Sequence, residues 1–168
     1  AKLWDEVWLS LGQTLYMTIA TALIAGFLGI VLGVILLVTD ENGLTPNRVI
    51  YNILDKAVNI FRSLPFIILV AVIYKFTRAI VGTSIGSTAA IVPLVLSTVP
   101  FYARQIQNAL LEVDPGVVEA AQAMGTSNLD IIFRVYLKEG LASIIRVSSV
   151  TIISIIGLTA MAGTVGGG

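Results

Sequence analysis

Three stretches of this chain lack Asp, Glu, Lys and Arg altogether: Val7 to Thr39, Ala79 to Ala103 and Val147 to Gly168, of 33, 25 and 22 residues. About 20 apolar helical residues cross a bilayer core of about 30 Å, so each stretch is long enough to span. Between Arg62 and Lys75 only 12 uncharged residues intervene. Adding Ala57 to Phe61 and Tyr74 to Thr77 completes a fourth span, provided Arg62 and Lys75 extend their long stems toward the headgroups. The pattern therefore predicts spans at about 11–38, 58–77, 86–107 and 141–162. A buried core hairpin of a soluble protein is the alternative, but no polar face exists to cover it.

Composition sharpens this picture. Of 168 residues, 57% are apolar and 12% charged, and the charges cancel to zero. Mean hydropathy is +0.95. These values exclude a solvated globular domain, a disordered tail and a nucleic-acid binder of the usual basic kind. The chain has no His and no Cys. That rules out a disulfide scaffold, a thiol nucleophile and an ordinary zinc site, and no metal-binding or catalytic residue is expected. The expected fold is an all-α integral membrane protein, a polytopic helical bundle.

Lys and Arg set the expected orientation. Segments 39–62 and 104–146 hold Arg48, Lys56, Arg62, Arg104, Arg134, Lys138 and Arg146, seven in all, while Lys2, Lys75 and Arg78 lie on the other side. The richer side should be cytoplasmic, which leaves the N-terminus and the end of the chain outside. Trp4 and Trp8 suit the headgroup level.

The segment 112–140 between the last two spans has its own organisation. Asp114 before Pro115 predicts a capped helix start, and Gly125 after Met124 predicts its stop. Ser127 with Asp130 three residues later predicts a second start, running through Ile131, Ile132, Val135 and Leu137 into the last span. An amphipathic hairpin resting on headgroups would be bulky and basic. The first helix instead carries Ala120, Ala121 and Ala123, with no Lys or Arg between Arg104 and Arg134. Small side chains favour close docking in a groove of a partner protein.

Glu119-Ala120-Ala121, then Gly125 after three residues, then Val135-x-Leu137 after nine more, resembles the EAA signature of ABC importer permeases. Val135 replaces the usual Ile, and Lys138 stands where the signature has Pro. Further stretches, among them Asn59 to Leu69, Val81 to Gly86, Ala90 to Leu94, Pro100-Phe101 and Asn108 to Glu112, are similar to permease subunits of methionine ABC importers. The resemblance covers nearly all of residues 10–168 and implies a single type I permease domain of the membrane-spanning bundle kind. It also implies a fifth span beyond Gly166-Gly167-Gly168, so that four spans are present here and one is missing.

The resemblance implies a function and partners. Glu119, Ala120, Ala121 and Gly125 would couple the membrane helices to a separate ATP-binding subunit, expected in two copies, which would hold the ATP and Mg. A second copy of this chain, an extracytoplasmic methionine-binding protein and membrane lipid complete the expected assembly. The substrate would be D- or L-methionine, with another small amino acid as the alternative. The chain has no phosphate-binding G-x-x-x-x-G-K-[ST] loop, so ATP hydrolysis must lie elsewhere. An ion-coupled secondary transporter would place a carboxylate at mid-membrane, yet no Asp or Glu occurs between Asp55 and Glu112.

Three further features carry two readings each. Arg62 would sit near the cytoplasmic mouth, either holding a gate or touching a carboxylate substrate, or else snorkelling to headgroups. Met161, the one large flexible side chain among Gly157, Thr159, Gly163 and Thr164, would plug the pathway or pack against helix and lipid. Gly29 and Gly33, with Ala25 and Gly26 nearby, form a small-residue stripe expected to pack between helices.

Overall fold

The computed structural model describes residues 2–82 and 86–164. Thr83 to Ile85 and the triplet Gly166-Gly167-Gly168, singled out above, lie outside them. The described residues form helices and turns: α1 (Lys2–Thr39), α2 (Arg48–Ser63), α3 (Phe66–Val72), α4 (Tyr74–Val81), α5 (Ser87–Leu111), α6 (Pro115–Ala123), α7 (Asn128–Ile131), a π-helical turn (Ile132–Tyr136), α8 (Leu137–Glu139) and α9 (Leu141–Thr164). Among them α1, α5 and α9 are long and apolar enough to cross a membrane.

Helix α1 is apolar on all sides, as a lipid-immersed helix must be. Its buried side follows an i, i+4 row through Met17, Thr21, Ala25, Gly29 and Gly33. Leu15, Ile19, Leu23 and Phe27 form the opposite, exposed row. The buried row lies along α5. Tyr16 and Thr88 share a 3.0 Å hydrogen bond near one end. Toward the other, a Cβ on Gly33 would meet the Ala103 carbonyl oxygen at 2.7 Å and Ile106 Cβ at 2.8 Å. Residue numbers rise together along both helices, so α1 and α5 are parallel. The chain between them must therefore travel back across the bundle.

That return is not the continuous 58–77 helix the charge pattern predicts. Pro65 has no N–H to donate and forces Leu64 into extended backbone (ψ 125°), which ends α2. Ile73 (φ −97°, ψ 14°) interrupts the path again between α3 and α4. Helix α2 starts where the Asn47 side chain accepts from the Ile50 amide at 3.1 Å.

Helix α9 runs antiparallel to α5. Tyr102 and Ser148 share a 2.5 Å hydrogen bond, and Ser143 donates to Glu112 at 2.8 Å. Leu94 packs with Ala162 and Leu158 farther along. One apolar core, built on Leu37, Ile106, Leu110 and Val147, lies toward the end bearing Glu112 and Arg146. This will be called the basic end. A second core, with Met17, Phe66, Ala90, Leu94 and Ala162, fills the bundle toward the opposite end.

The predicted second helix of the 112–140 segment is present but not uniform. It widens to a π-turn over Ile132–Tyr136. The wider turn lets Ile131, Val135 and Tyr136 all pack against Val113 and Val118. No break falls at Lys138, which is helical. The turn comes at Gly140, where a Cβ would lie 2.8 Å from both the Tyr136 carbonyl oxygen and Leu110 Cδ2 of α5, so any larger residue would force a shift.

Candidate coupling helix and transmembrane cavity

At the basic end, α6 begins where Asp114 Oδ1 accepts from the Gly116 amide at 2.9 Å, with Pro115 at the first helical position. Val118 is its buried anchor, set among Val113 and Ile131 with Ala121 packed beside them. Glu119, Ala120, Ala123 and Met124 are exposed on the other side. Met124 reaches 83% exposure, large for an apolar side chain. Glu119 and Gln122 also border an open cleft of about 250 Å³ that includes Leu44 of the α1–α2 turn.

The helix ends by backbone geometry. Gly125 has φ +78°. Its amide donates to Gln122 O at 3.0 Å and the Thr126 amide to Ala121 O at 3.1 Å. This pair of bonds is the glycine-terminated Schellman arrangement. A Cβ on Gly125 would meet nothing within 4 Å, so the glycine is needed for its left-handed backbone and not for space. Ser127 then accepts from the Asp130 amide at 3.3 Å and starts α7.

A second site opens on the side of the bundle. Helix α2 contributes Phe61 and Arg62 to an open cavity of about 290 Å³, whose far walls are Ser97, Thr98 and Phe101 of α5 and Ser154 and Leu158 of α9. Those α5 and α9 residues sit near the middle of their helices. Arg62, itself exposed, is thus brought level with the middle of α5 and α9, facing hydroxyls and aromatic rings across the cavity. Among the described residues no carboxylate pairs with it. Thr98 is 3% exposed, and its hydroxyl has no hydrogen-bond partner among the described residues.

Arg104 Nη2 meets Asp55 Oδ1 at 2.6 Å, with side-chain exposures of 14% and 28%. The same guanidinium donates to Asn59 Oδ1 at 3.0 Å and Gln107 Oε1 at 2.7 Å. Sequence reading missed this network. Its trace was there, since Asp55 and Asn59 are four apart and Arg104 and Gln107 three apart, each pair on one helical face.

Gly29 and Gly33 face α5: a Cβ on Gly29 would come within 2.5 Å of Tyr102 Cδ2. The glycine makes room for the ring, and the ring's hydroxyl reaches Ser148 of α9. Met161 is 37% exposed, close to one turn beyond Leu158, and does not line the Arg62 cavity. Thr159 is buried and donates to Ile156 O at 2.6 Å, so it presents no hydroxyl to a pathway. Among the described residues no cluster of His, Cys, Asp or Glu could hold a metal ion.

Comparison with known proteins gives concordant matches. The model of the family described as binding-protein-dependent transport system inner membrane component matches residues 25–168. The probable D-methionine transport system permease protein MetI of Vibrio cholerae is 49% identical over 156 residues, covering 93% of this chain and 69% of that protein. Its counterpart from Pasteurella multocida is 43% identical over 167 residues, covering 99% and 77%. A solved inward-facing structure of the MetNI methionine ABC transporter superposes with a TM-score of 0.93 at 42% identity, covering 98% of this chain and 77% of that one.

Proposed function

Since the chain belongs to the family of binding-protein-dependent transport system inner membrane components, we propose that it is the membrane permease subunit of an ATP-driven methionine importer. Its relatives are named D-methionine transport permeases, and both D- and L-methionine are candidate substrates. The basic end would face the cytoplasm, in keeping with the bias of Lys and Arg.

The observation that carries this reading is α6. It is a short helix, anchored by Val118 and terminated at Gly125, that presents Glu119 and Ala120 outward from the basic end. A rigidly held helix with a small-residue face and one carboxylate suits insertion into a cleft of an ATP-binding subunit. Closing of that cleft would be transmitted through Val118 to Val113 and Ile131, at the foot of α5 and the end of α7. ATP and Mg belong on that partner. Two copies of this chain with two ATP-binding subunits, and a methionine-binding protein on the outer face, complete the proposed assembly. One bundle of this size would not enclose a route, whereas two facing copies would.

Reconstitution tests the proposal. Proteoliposomes holding this chain with its ATP-binding subunit, supplied with the binding protein, should take up labelled methionine only when ATP is provided. A protonophore should leave uptake unchanged. Uptake without the ATP-binding subunit, or its collapse on adding protonophore, would point to an ion-coupled carrier instead.

A further inference from the structure

Two arginines lie along the seam between α2 and α5, and they are equipped differently. Arg104 has acceptors in Asp55, Asn59 and Gln107. Arg62, two turns farther along α2, has no carboxylate partner among the described residues and lines a cavity instead. Arg62 is exposed on the side of this single chain, level with the middle of α5 and α9, and in apolar surroundings such a guanidinium calls for an anion. The carboxylate of Asp55, also on α2, is already engaged by Arg104.

The cavity's other walls define what that anion is attached to. Phe61, Phe101 and Leu158 offer apolar surface, and Ser97, Thr98 and Ser154 offer hydroxyls. The Thr98 hydroxyl is buried and has no partner among the described residues. A volume of about 290 Å³ is at the lower limit of about 300 Å³ for ligand clefts, enough for one small molecule and too little for a peptide. Among the described residues no Asp or Glu lines it.

We propose that this cavity is a transit site for a single apolar amino acid, whose carboxylate pairs with Arg62 and whose side chain lies against Phe61, Phe101 and Leu158. This rests on the importer reading and adds to it that the membrane subunit itself holds the substrate. The ammonium is left to hydroxyl oxygens, so recognition leans on the carboxylate. A lipid phosphate could also satisfy a guanidinium, but Ser97 and Ser154 sit at mid-helix, away from headgroup level.

A diazirine analogue of methionine provides the test, applied to the complete complex of permease and ATP-binding subunit in vesicles of phosphatidylcholine with and without phosphatidylglycerol. Photolysis should label peptides containing Phe61, Phe101 or Leu158, and excess methionine should suppress the label. 3-(Methylthio)propylamine, which lacks the carboxylate, should not suppress it. Arg62→Gln should lower this label at least about tenfold, and Arg62→Lys should retain more of it than Arg62→Gln. Ser154→Leu, which fills the cavity without altering charge, should lower it as well, and yields of the assembled complex would check folding of each variant.

Labelling confined to other regions overturns the proposal, as does equal suppression by the amine or undiminished labelling of Arg62→Gln. Loss of wild-type label when phosphatidylglycerol is included would assign Arg62 to lipid phosphate and overturn it too. ATP-driven methionine uptake by the same vesicles, once the binding protein is added, is the separate control. Uptake without cavity labelling sinks the transit site alone, whereas absence of uptake sinks the importer reading.

Discussion

Arg104 and Asp55 form a 2.6 Å ion pair that ties α2 to α5 within the bundle, and the same guanidinium also donates to Asn59 and Gln107. Both partners are largely buried, so removing one strands the other. Asp55→Ala and Arg104→Gln should each lower the unfolding midpoint in detergent. A double-mutant cycle should give a coupling of about 1.5–3 kcal/mol, the range for hydrogen bonds to charged groups. Additive losses would show that the pair contributes nothing beyond its separate members.

The α1–α5 seam should be intolerant of added volume at two glycines and indifferent at a third. A Cβ on Gly33 would strike the backbone of Ala103, which cannot swing aside. Gly33→Val is expected to cost about 1–3 kcal/mol, and Gly29→Val, which must displace the Tyr102 ring, a comparable amount. Gly26 has nothing within 4 Å of its would-be Cβ. Gly26→Ala should leave stability unchanged or raise it by up to about 1 kcal/mol. Thermal melts of the three variants in one detergent provide the comparison.

The end of α6 depends on backbone conformation. Gly125→Val forces a β-branched residue to φ +78°, at a cost of at least about 1–2 kcal/mol confined to the helix end. Membrane insertion should be normal, transport should be lost, and ATP hydrolysis should no longer respond to substrate. Gly125→Asn should restore much of the transport, because Asn tolerates the left-handed region. Normal uptake by Gly125→Val would falsify a coupling role for this turn.

The outward face of α6 should matter for assembly and hardly for folding. Ala120 and Glu119 are exposed, so Ala120→Leu and Glu119→Arg are expected to change the melting point of the isolated chain by less than about 0.5 kcal/mol equivalent. Co-purification with the ATP-binding subunit should fall at least about tenfold in either variant. Val118→Ala should behave oppositely in the melt, costing about 1 kcal/mol or more through the void left among Val113 and Ile131.

Glu112 gives a pH signature at the basic end. The Ser143 hydroxyl, then the Arg146 guanidinium, hold its carboxyl below the ordinary value of 4.5. A depressed folded value means the charged form is favoured by folding. The contribution is therefore complete above the unfolded value and lost as pH falls through the folded one. The melting-point difference between wild type and Glu112→Gln should be constant from about pH 7 to about pH 5.5 and close below that. A difference that persists undiminished to about pH 3 would count against the interaction.

Much of this protein was legible without its structure because membrane immersion and helix capping are local. Charge-free runs of 33, 25 and 22 residues demand helices, since backbone groups in lipid must bond within the same segment. Asp114-Pro115, Gly125 and Ser127 mark the ends of α6 and the start of α7 by their own side-chain and backbone chemistry. The small-residue spacing of Gly29 and Gly33 likewise fixes a face, and the EAA pattern fixes a family.

Which faces meet is a different kind of information, and only the tertiary structure supplied it. Pro65 could bend a span or end one, and α2, α3 and α4 show that the return path is broken. That Arg104 takes Asp55 while Arg62 faces serines and phenylalanines depends on how α2 is laid along α5 and α9. Helical periodicity sets each residue's angle about its own axis; it does not say which neighbour stands at that angle. In an apolar solvent the burial of a hydrophobic stripe gives little guidance either, because lipid and protein are equally apolar. The register of glycines against Tyr102 and the pairing of a few polar groups decide the arrangement, and through it the place of the cavity.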